Sequence, residues 1–293
     1  MKNPDNDLRG IWGRTPKDIY AVGYATIAHY NGTSWDFTEH DCSYSNVWGS
    51  SAGIVYVVGC GIKKFSGDEW SDIIIDTEGD KYGIWGSSEN NIYVVGGTQD
   101  LSSGDTSSLI IHYDGTDWMV VENEFPVMIH DVWGSSPDNI FAVGHENLYS
   151  YKGAILNYDG TGWYTALENT PTELNGVWGS SDSDVFAVGE SGIILHYDGE
   201  QWSQMDCGTV HSLNDVWGSS ASSVFAAGDQ GTVLYYNGEC WSDVSYSRAD
   251  RIDGIWSSSD NKVFGVGMDV RSSRTYGLII EGICGFQNRG ACE

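Results

Sequence analysis

One sequence motif recurs seven times along the chain of 293 residues, at intervals of 36 to 48 residues. Each copy carries a Trp in a Val/Ile-Trp-Gly triplet, with Ser replacing Gly in the last copy: Trp12, Trp48, Trp85, Trp133, Trp178, Trp217 and Trp256. The other six Trp residues each end an Asp/Asn/Ser-Gly-x-x-Trp segment: Trp35, Trp70, Trp118, Trp163, Trp202 and Trp241. Because two repeat positions account for every Trp, the spacing indicates packing between repeats rather than sugar stacking.

Each copy contains four short apolar or alternating stretches, separated by turn sequences such as Asp-Gly and Asn-Gly, which are strong hairpin signals. Four strands in a period of about 40 residues are typical of a β-propeller blade. The sequence therefore predicts an all-β protein, a single seven-bladed β-propeller of four-stranded antiparallel blades. The predicted blades span 8–42, 43–78, 79–126, 127–171, 172–209, 210–249 and 250–293.

The seventh copy lacks the second Trp, which marks the start of the outer strand in the other six copies. We expect Gly285 and Phe286 to supply an irregular outer strand. The alternative is that residues 1–7 add the missing strand.

The chain is strongly acidic, with 41 Asp and Glu residues against 14 Lys and Arg residues and a net charge of −27. A field of this sign repels phosphate backbones and anionic lipids, so we expect no nucleic-acid partner. No apolar run approaches the ~20 residues of a membrane-spanning helix, and no signal peptide is visible. We expect a monomer without membrane insertion, and no cofactor, although the acidic surface permits calcium binding.

Six Cys residues form an even set without a C-x-x-C motif, which favours disulfides and a secreted, periplasmic or cell-surface location. Cys42 precedes the first strand of blade 2 and Cys60 follows its second strand, so both should lie on one face and pair. The connectivity of Cys207, Cys240, Cys284 and Cys292 stays open, although Cys240 and Cys284 occupy the same repeat position in adjacent blades.

The unit L-x-x-[VI]-W-G-S-S, followed by an [VI]-[FY]-A-V-G strand and Y-D-G-x-x-W, resembles the BNR-like, or Asp-box-like, repeats of bacterial propellers. It is similar to those of the photosystem II assembly factor family and, more faintly, to tectonin-type lectin repeats. The Asp-Gly-x-x-Trp tail of the Asp box is present, whereas its leading Ser is missing. The resemblance implies binding or assembly roles more than catalysis.

One repeat position varies while its neighbours repeat. It lies two residues before the Val/Ile-Trp pair, and we call it the variable slot: Arg9, Ser45, Tyr82, His130, Asn175, Asn214 and Asp253. Every occupant is polar or amphipathic. We expect the slot to surround the upper mouth of the central channel, either contacting a ligand or simply facing water.

Ligand-binding residues are also expected in loops of the same face, which we call the top face. These loops vary and carry insertions after Gly97, His145 and Met268. Four Arg residues there could bind an anionic group or merely pair with surface carboxylates: Arg248, Arg251, Arg271 and Arg274. Tyr149, Tyr151 and Tyr276 are the candidates for stacking on a ligand.

The histidines argue against a metal enzyme, since His29, His112 and His196 occupy one slot in separate blades, and His130 and His145 lack a third ligand. No nucleophile or phosphate-binding motif appears. We therefore expect a non-catalytic extracytoplasmic module that binds a glycan or a protein through its top face. The alternatives are an assembly or scaffold factor that binds a protein partner, and a propeller-type glycosidase or lyase.

Overall fold

The computed structural model describes residues 6–121, 125–246, 249–259, 262–271 and 274–281, with the backbone alone for 270–271 and 274–276. Seven antiparallel sheets follow one another in sequence, and six of them have four described strands. Each innermost strand contacts the innermost strands of both neighbours, including β25 of the last blade with β1 of the first. The chain is a seven-bladed β-propeller, as the repeat predicts.

The strands of the first four blades are as follows. Blade 1 contains β1 (Leu8–Thr15), β2 (Asp18–Gly23), β3 (Thr26–Tyr30) and β4 (Trp35–Glu39). Blade 2 contains β5 (Tyr44–Gly49), β6 (Val55–Gly59), β7 (Ile62–Phe65) and β8 (Trp70–Ile73). Blade 3 contains β9 (Asp80–Ser88), β10 (Asn91–Gln99), β11 (Thr106–Tyr113) and β12 (Trp118–Val120). Blade 4 contains β13 (Met128–Ser136), β14 (Asn139–His145), β15 (Gly153–Tyr158) and β16 (Trp163–Leu167).

The remaining blades repeat this order. Blade 5 contains β17 (Leu174–Ser181), β18 (Asp184–Gly189), a 3-10 turn (Glu190–Gly192), β19 (Ile194–Tyr197) and β20 (Trp202–Met205). Blade 6 contains β21 (Leu213–Ser220), β22 (Ser223–Gly228), β23 (Val233–Tyr236) and β24 (Trp241–Asp243). Blade 7 contains β25 (Arg251–Ser257), β26 (Val263–Arg271) and β27 (Arg274–Glu281), while Gly285, Phe286 and residues 1–5 lie outside the described residues.

The core lies between blades, because each sheet buries apolar side chains from both of its faces. The cluster between blades 5 and 6, for example, joins Phe186 and Ile194 to Leu213 and Val224, all of which are fully buried. Equivalent clusters fill the other interfaces. A single blade would expose these faces to water, so the blades depend on one another for stability.

The Val/Ile-Trp-Gly triplet is explained by contacts between neighbouring blades. A Cβ atom on Gly134 would lie 2.6 Å from Cη2 of Trp85, so only Gly leaves room for the indole of the preceding blade. The same contact recurs at six interfaces: Trp12–Gly49, Trp48–Gly86, Trp85–Gly134, Trp133–Gly179, Trp178–Gly218 and Trp256–Gly13. At the seventh, Trp217 Nε1 donates a hydrogen bond of 3.1 Å to the backbone carbonyl of Ser257, the residue that replaces Gly in the last copy.

Cys42 and Cys60 form a disulfide on the top face, with a Cα–Cα distance of 6.2 Å, which confirms the predicted pair. Cys207 is free, and its Sγ lies 3.0 Å from the carbonyl oxygen of Gly192. Cys240 is disulfide-bonded, whereas Cys284 and Cys292 lie outside the described residues. Across the described ranges, no helix has the length and apolar character needed to cross a membrane.

The prediction that the insertion after Met268 is a loop was wrong. Strands β26 and β27 continue beyond the blade, and their ladder extends to the pair Arg271–Arg274. Tyr276 pairs with Asp269 inside this extended hairpin. Since backbone pairing continues there, the described residues of the insertion form strand rather than loop. The same applies to the ends of the blade 3 insertion, where Gln99 pairs with Thr106.

Candidate functional site

Every innermost strand contains a β-bulge at the variable slot. In blade 1, Leu8 pairs with Gly23 and Gly10 pairs with Val22, which leaves Arg9 between them without a partner residue. The same register shift occurs at the slot of each of the other six blades. A bulge redirects side chains, so the slot residue and the residue after it both reach the channel.

The seven slot residues converge on one cavity of about 410 Å3 at the top of the channel. The cavity is also lined by residues that the sequence reasoning missed or placed elsewhere: Gly10, Asn46, Asp131, Glu190, Asp215 and Arg251. A volume of this size lies within the ~300–1,000 Å3 that is usual for ligand pockets. The slot is therefore a ring around the channel mouth, as expected from the repeat.

Three of the slot residues hold neighbouring blades together. His130 Nδ1 lies 3.1 Å from the carbonyl oxygen of Leu174, and Nδ2 of Asn175 donates a bond of 3.0 Å to the carbonyl of Leu213. Asn214 repeats this contact with the carbonyl of Ile252 at 3.0 Å. Because a carbonyl oxygen only accepts, His130 must carry its proton on Nδ1. These donors in blades 4, 5 and 6 are thus already occupied.

The slot residues of blades 7, 1, 2 and 3 have no such role. Arg9 Nε lies 3.3 Å from Asp7 Oδ2, with 42% of the Arg9 side chain exposed. Arg251 Nε lies 2.6 Å from Oδ1 of Asp253, whose carboxyl is mostly buried beside the cavity rather than on the surface. The hydroxyl of Tyr82 donates to Asp80 at 3.2 Å. We call Arg9, Ser45, Tyr82, Arg251 and Asp253 the open sector, because all five line the cavity and none of them donates to a carbonyl of the next blade in the way that His130, Asn175 and Asn214 do.

Below the slot lies a narrow waist, formed by the residue that follows each slot residue. Its occupants alternate between Gly and Asx: Gly10, Asn46, Gly83, Asp131, Gly176, Asp215 and Gly254. Asp131 Oδ2 accepts a hydrogen bond of 3.0 Å from the Val177 backbone N–H of blade 5. Asp215 Oδ2 accepts one of 2.8 Å from Ile255 of blade 7, while its Oδ1 accepts from Val216 at 2.8 Å. The waist carboxyls therefore join adjacent blades.

Glycine is needed at the other waist positions because the next blade approaches closely. A Cβ on Gly83 would lie 2.9 Å from Cα of Asp131, and one on Gly176 would lie 3.1 Å from Cα of Asp215. Beneath the waist, a second cavity of about 130 Å3 is lined by the Val, Ile and Trp residues of the innermost strands. The channel is thus polar above the waist and largely apolar below it.

Burial shifts the pKa values of the groups around the cavity. Desolvation raises the pKa of Asp131 to about 7 and that of Asp253 to about 6. The pKa of Asp215 is raised well above its usual value by desolvation and then by the nearby Asp131. Desolvation, followed by the neighbouring His145, lowers the pKa of His130 to about 4. These shifts keep several acids protonated in a pH range where exposed carboxyls are ionised.

His130 and His145 contact each other rather than a common ion. His145 Nδ1 lies 3.1 Å from His130 Nε2 and 3.5 Å from Glu173 Oε2. In the part of the chain that the structure describes, no group of three or more His, Cys, Asp or Glu side chains could hold a metal. His29 and His196 each bond an Asp of their own blade at 2.7 Å, and so serve as structural residues in separate blades.

The two remaining predicted site residues whose side chains the structure describes do not line the cavity. Tyr149 and Tyr151 lie in the top loop of blade 4 and are 62% and 54% exposed. For Arg271, Arg274 and Tyr276 the structure describes the backbone, and Arg271 pairs with Arg274 at the last described position of the blade 7 ladder. Arg248 lies outside the described residues.

No family model matches the chain, and neither does any curated protein sequence. Solved structures match over nearly the whole length. The structure described as YCF48 bound to D1 peptide has a TM-score of 0.70 and 16% identity, covering 96% of this chain and 95% of that one. YCF48 from Cyanidioschyzon merolae has a TM-score of 0.71 and 15% identity, covering 94% and 97%. The WD40 repeats of RRP9 have a TM-score of 0.73 and 10% identity, covering 96% of each chain. At these identities the likeness establishes the propeller fold alone.

Proposed function

We propose that this propeller is a non-catalytic binding protein that holds a segment of a protein partner at the top mouth of its channel. The observation that carries the proposal is the single cavity in which all seven variable-slot residues meet. Within it, three slot residues are committed to neighbouring carbonyls, whereas the open sector keeps polar atoms for a ligand. A rigid ring with a few uncommitted polar groups suits selective binding.

A protein partner is favoured over a glycan for two reasons. The open sector presents the guanidinium groups of Arg9 and Arg251, which suit the carboxylates and carbonyls of a polypeptide. A propeller of the same fold has been solved with a D1 peptide bound, which supports a peptide-binding role by analogy. Membership of the BNR-like repeats remains a prediction.

The proposal includes an extracytoplasmic location and a monomeric state. The Cys42–Cys60 disulfide supports the location, since structural disulfides persist mainly in oxidising compartments. The net charge of −27 supports the monomer, because equal charges repel at close range.

The test begins with a photoreactive amino acid at Ser45, which lines the cavity, or at Glu200, which is exposed on a bottom turn. Crosslinking in an extract of the source organism should give a protein adduct from position 45 and none from position 200. Peptides from the captured protein are then titrated against the purified propeller by calorimetry. A glycan array is run in parallel.

Arg9→Ala should weaken the peptide about tenfold, the usual loss for one charged hydrogen-bonding partner. Arg14→Ala is the matched control, because Arg14 is 41% exposed, close to the 42% of Arg9, but lies at the opposite end of β1 in an ion pair with Asp18. An adduct from position 200 alone would contradict the proposal. Glycan binding that Arg9→Ala abolishes would replace the protein partner by a sugar.

A further inference from the structure

Exposed apolar side chains are concentrated on the top face. The described residues include ten large hydrophobic side chains that are exposed, of which four lie on outermost strands: Phe37, Met119, Val120 and Tyr164. The other six lie in top-face loops: Tyr24, Ile74, Leu101, Tyr149, Tyr151 and Val210. Three of these six belong to two adjacent loops, at residues 100–105 of blade 3 and 146–152 of blade 4. We call these two loops the blade 3–4 platform.

Contacts between the two loops hold the platform in one shape. The hydroxyl of Tyr149 donates a bond of 2.7 Å to the carbonyl of Leu101, and the backbone N–H of Leu148 donates one of 3.0 Å to the carbonyl of Gly104. Gly104 has a φ of +81°, and the Tyr149 ring packs on it so closely that a Cβ there would lie 2.3 Å from Cδ2. The aromatic surface is therefore preformed, which lowers the entropy cost of binding.

Tyr151 is held in a strained conformation. Its φ of +50° is in the left-handed region, which costs a residue with a side chain roughly 1–2 kcal/mol. Its backbone N–H donates to the carbonyl of Asn147 at 3.1 Å, and the next residue, Lys152, donates to Asn169 at 2.7 Å. The fold thus maintains an unfavourable backbone while the ring stays 54% exposed, which is common at binding sites.

The platform is acidic as well as aromatic. Asp100 and Asp105 are exposed in the first loop, and Glu146 lies in the second. Hydrogen bonds from the side chain and backbone of Ser102 lower the pKa of Asp100, so its carboxyl is ionised at neutral pH. Lys152, the cation of these loops, already donates to Asn169. The local charge therefore has the same sign as the net charge of −27.

We propose that the blade 3–4 platform is a second docking surface, which binds an arginine-containing cationic segment of a partner polypeptide. Guanidinium groups stack on the exposed rings of Tyr149 and Tyr151, and Asp100 and Asp105 supply the opposite charge. A second copy of this chain does not fit, because it carries the same negative charge. A neutral glycan could stack on the rings and donate hydroxyl hydrogens to the carboxylates, but it carries no positive charge to match them. This surface lies outside the cavity and does not depend on the proposed function.

The probe is a fluorescein-labelled 12-residue peptide with four Arg residues separated by Gly and Ser, compared with Lys and Glu versions of the same length. Binding to the full chain is followed by fluorescence polarisation. The Arg peptide should bind several-fold more tightly than the Lys peptide, because planar guanidinium groups stack on aromatic rings. The Glu peptide should not bind. Tyr151→Ala, which removes no hydrogen bond made by the side chain, should weaken the Arg peptide at least fivefold.

Matched variants separate this surface from general charge attraction and from the cavity. Tyr24→Ala removes an equally exposed ring from the top loop of blade 1 and should leave the affinity unchanged. Asp100→Asn with Asp105→Asn should weaken binding, whereas the same charge change at Asp36 and Asp68, both exposed elsewhere, should not. Arg9→Ala should have no effect.

Equal affinity for the Arg and Lys peptides, with equal losses in both charge-change pairs, would overturn the proposal. So would a Tyr151→Ala variant that binds the Arg peptide as tightly as the parent. Concentration-dependent dimerisation that Tyr151→Ala abolishes, measured by sedimentation equilibrium, would assign the platform to a second copy instead.

Discussion

Replacing Asp131 by Asn should leave the stability almost unchanged at pH 5 and raise it at pH 8. Burial raises the pKa of this waist carboxyl from 3.8 to about 7. Between these two values the folded state binds a proton that the unfolded state has lost, so stability falls as the pH rises through this range. The full shift corresponds to about 4 kcal/mol, at 1.36 kcal/mol for each unit of pKa. Since the carboxyl also faces the water of the cavity, we expect roughly half of this value.

The chain itself supplies the precedent for Asn at this position. In blade 2 the waist residue is Asn46, whose Oδ1 accepts a hydrogen bond of 2.8 Å from the backbone N–H of Val47. Asp131→Asn should keep the equivalent bond within blade 4 and lose the bond from Val177 of blade 5, at a cost of about 1 kcal/mol. By pH 5 the parent has already lost about 1 kcal/mol of this stability, which offsets the lost bond. The variant should therefore be about as stable as the parent at pH 5 and about 1 kcal/mol more stable at pH 8.

The measurement is urea unfolding at both pH values, followed by the fluorescence of the 13 Trp residues. All other titrating groups, including His130, are the same in both proteins and cancel in the difference, apart from Asp215, whose pKa Asp131 also raises. Without the Asp131 charge, the pKa of Asp215 is raised less, so Asp215 also destabilises the folded variant less at high pH. Asp36→Asn, at an exposed site, is the control and should show no change with pH. An equal stability difference at pH 5 and pH 8 would refute the reasoning.

Three further predictions concern stability. Gly134→Ala should destabilise by about 1–3 kcal/mol, because its Cβ would overlap the indole of the preceding blade, whereas Gly162→Ala, with open space around it, should be neutral in thermal unfolding. Because the pKa of His130 is lowered in the folded state, the unfolded state takes up the proton first, and stability falls as the pH drops from about 6.5 to about 4. In urea unfolding, His130→Asn should therefore lose less stability than the parent over this pH range. Replacing both Cys42 and Cys60 by Ser should cost about 3 kcal/mol, since the bond closes a loop with a sequence separation of 18, and the loss should be seen as a lower urea midpoint.

The architecture was predictable because the repeat encodes it in more than one way. A Gly follows the inner Trp in six copies because the preceding indole occupies the space of its Cβ, and the last copy has Ser257 where Trp217 instead donates to a carbonyl. Packing between blades thus leaves a direct trace in sequence spacing. No comparable sequence pattern marks the extended ladder that ends at Arg271 and Arg274, because a polar insertion can form either strand or loop.

The slot was predictable as well, but its neighbours at the waist were missed for a physical reason. Successive residues of a regular strand point to opposite sides, so a channel-facing His130 implies that Asp131 points away. The β-bulge at the slot breaks this alternation and turns both side chains to the channel. The alternation of Gly with Asn or Asp at the waist was visible in the sequence and could have indicated a second ring. Glu190 could not have been found in this way, because it enters the cavity from a top-face turn.

The number of blades explains why the open sector lies where it does. A waist that alternates between Gly and a side chain can close without a mismatch only around an even number of blades. With seven, two residues of the same kind must meet, and in this chain they are glycines: Gly254 of blade 7 adjoins Gly10 of blade 1, and a Cβ on Gly254 would lie 2.7 Å from the Arg9 carbonyl oxygen. No waist carboxyl joins this interface, and the slot residues above it, Arg9 and Asp253, make no bond to a neighbouring carbonyl. The interface between blades 7 and 1 therefore lacks the waist cross-link that joins blade 4 to blade 5 and blade 6 to blade 7, and Tyr30 donates to Glu281 across its outer part at 3.4 Å instead. The slot residues above it, freed from bonding to a neighbouring backbone, line the cavity as charged side chains.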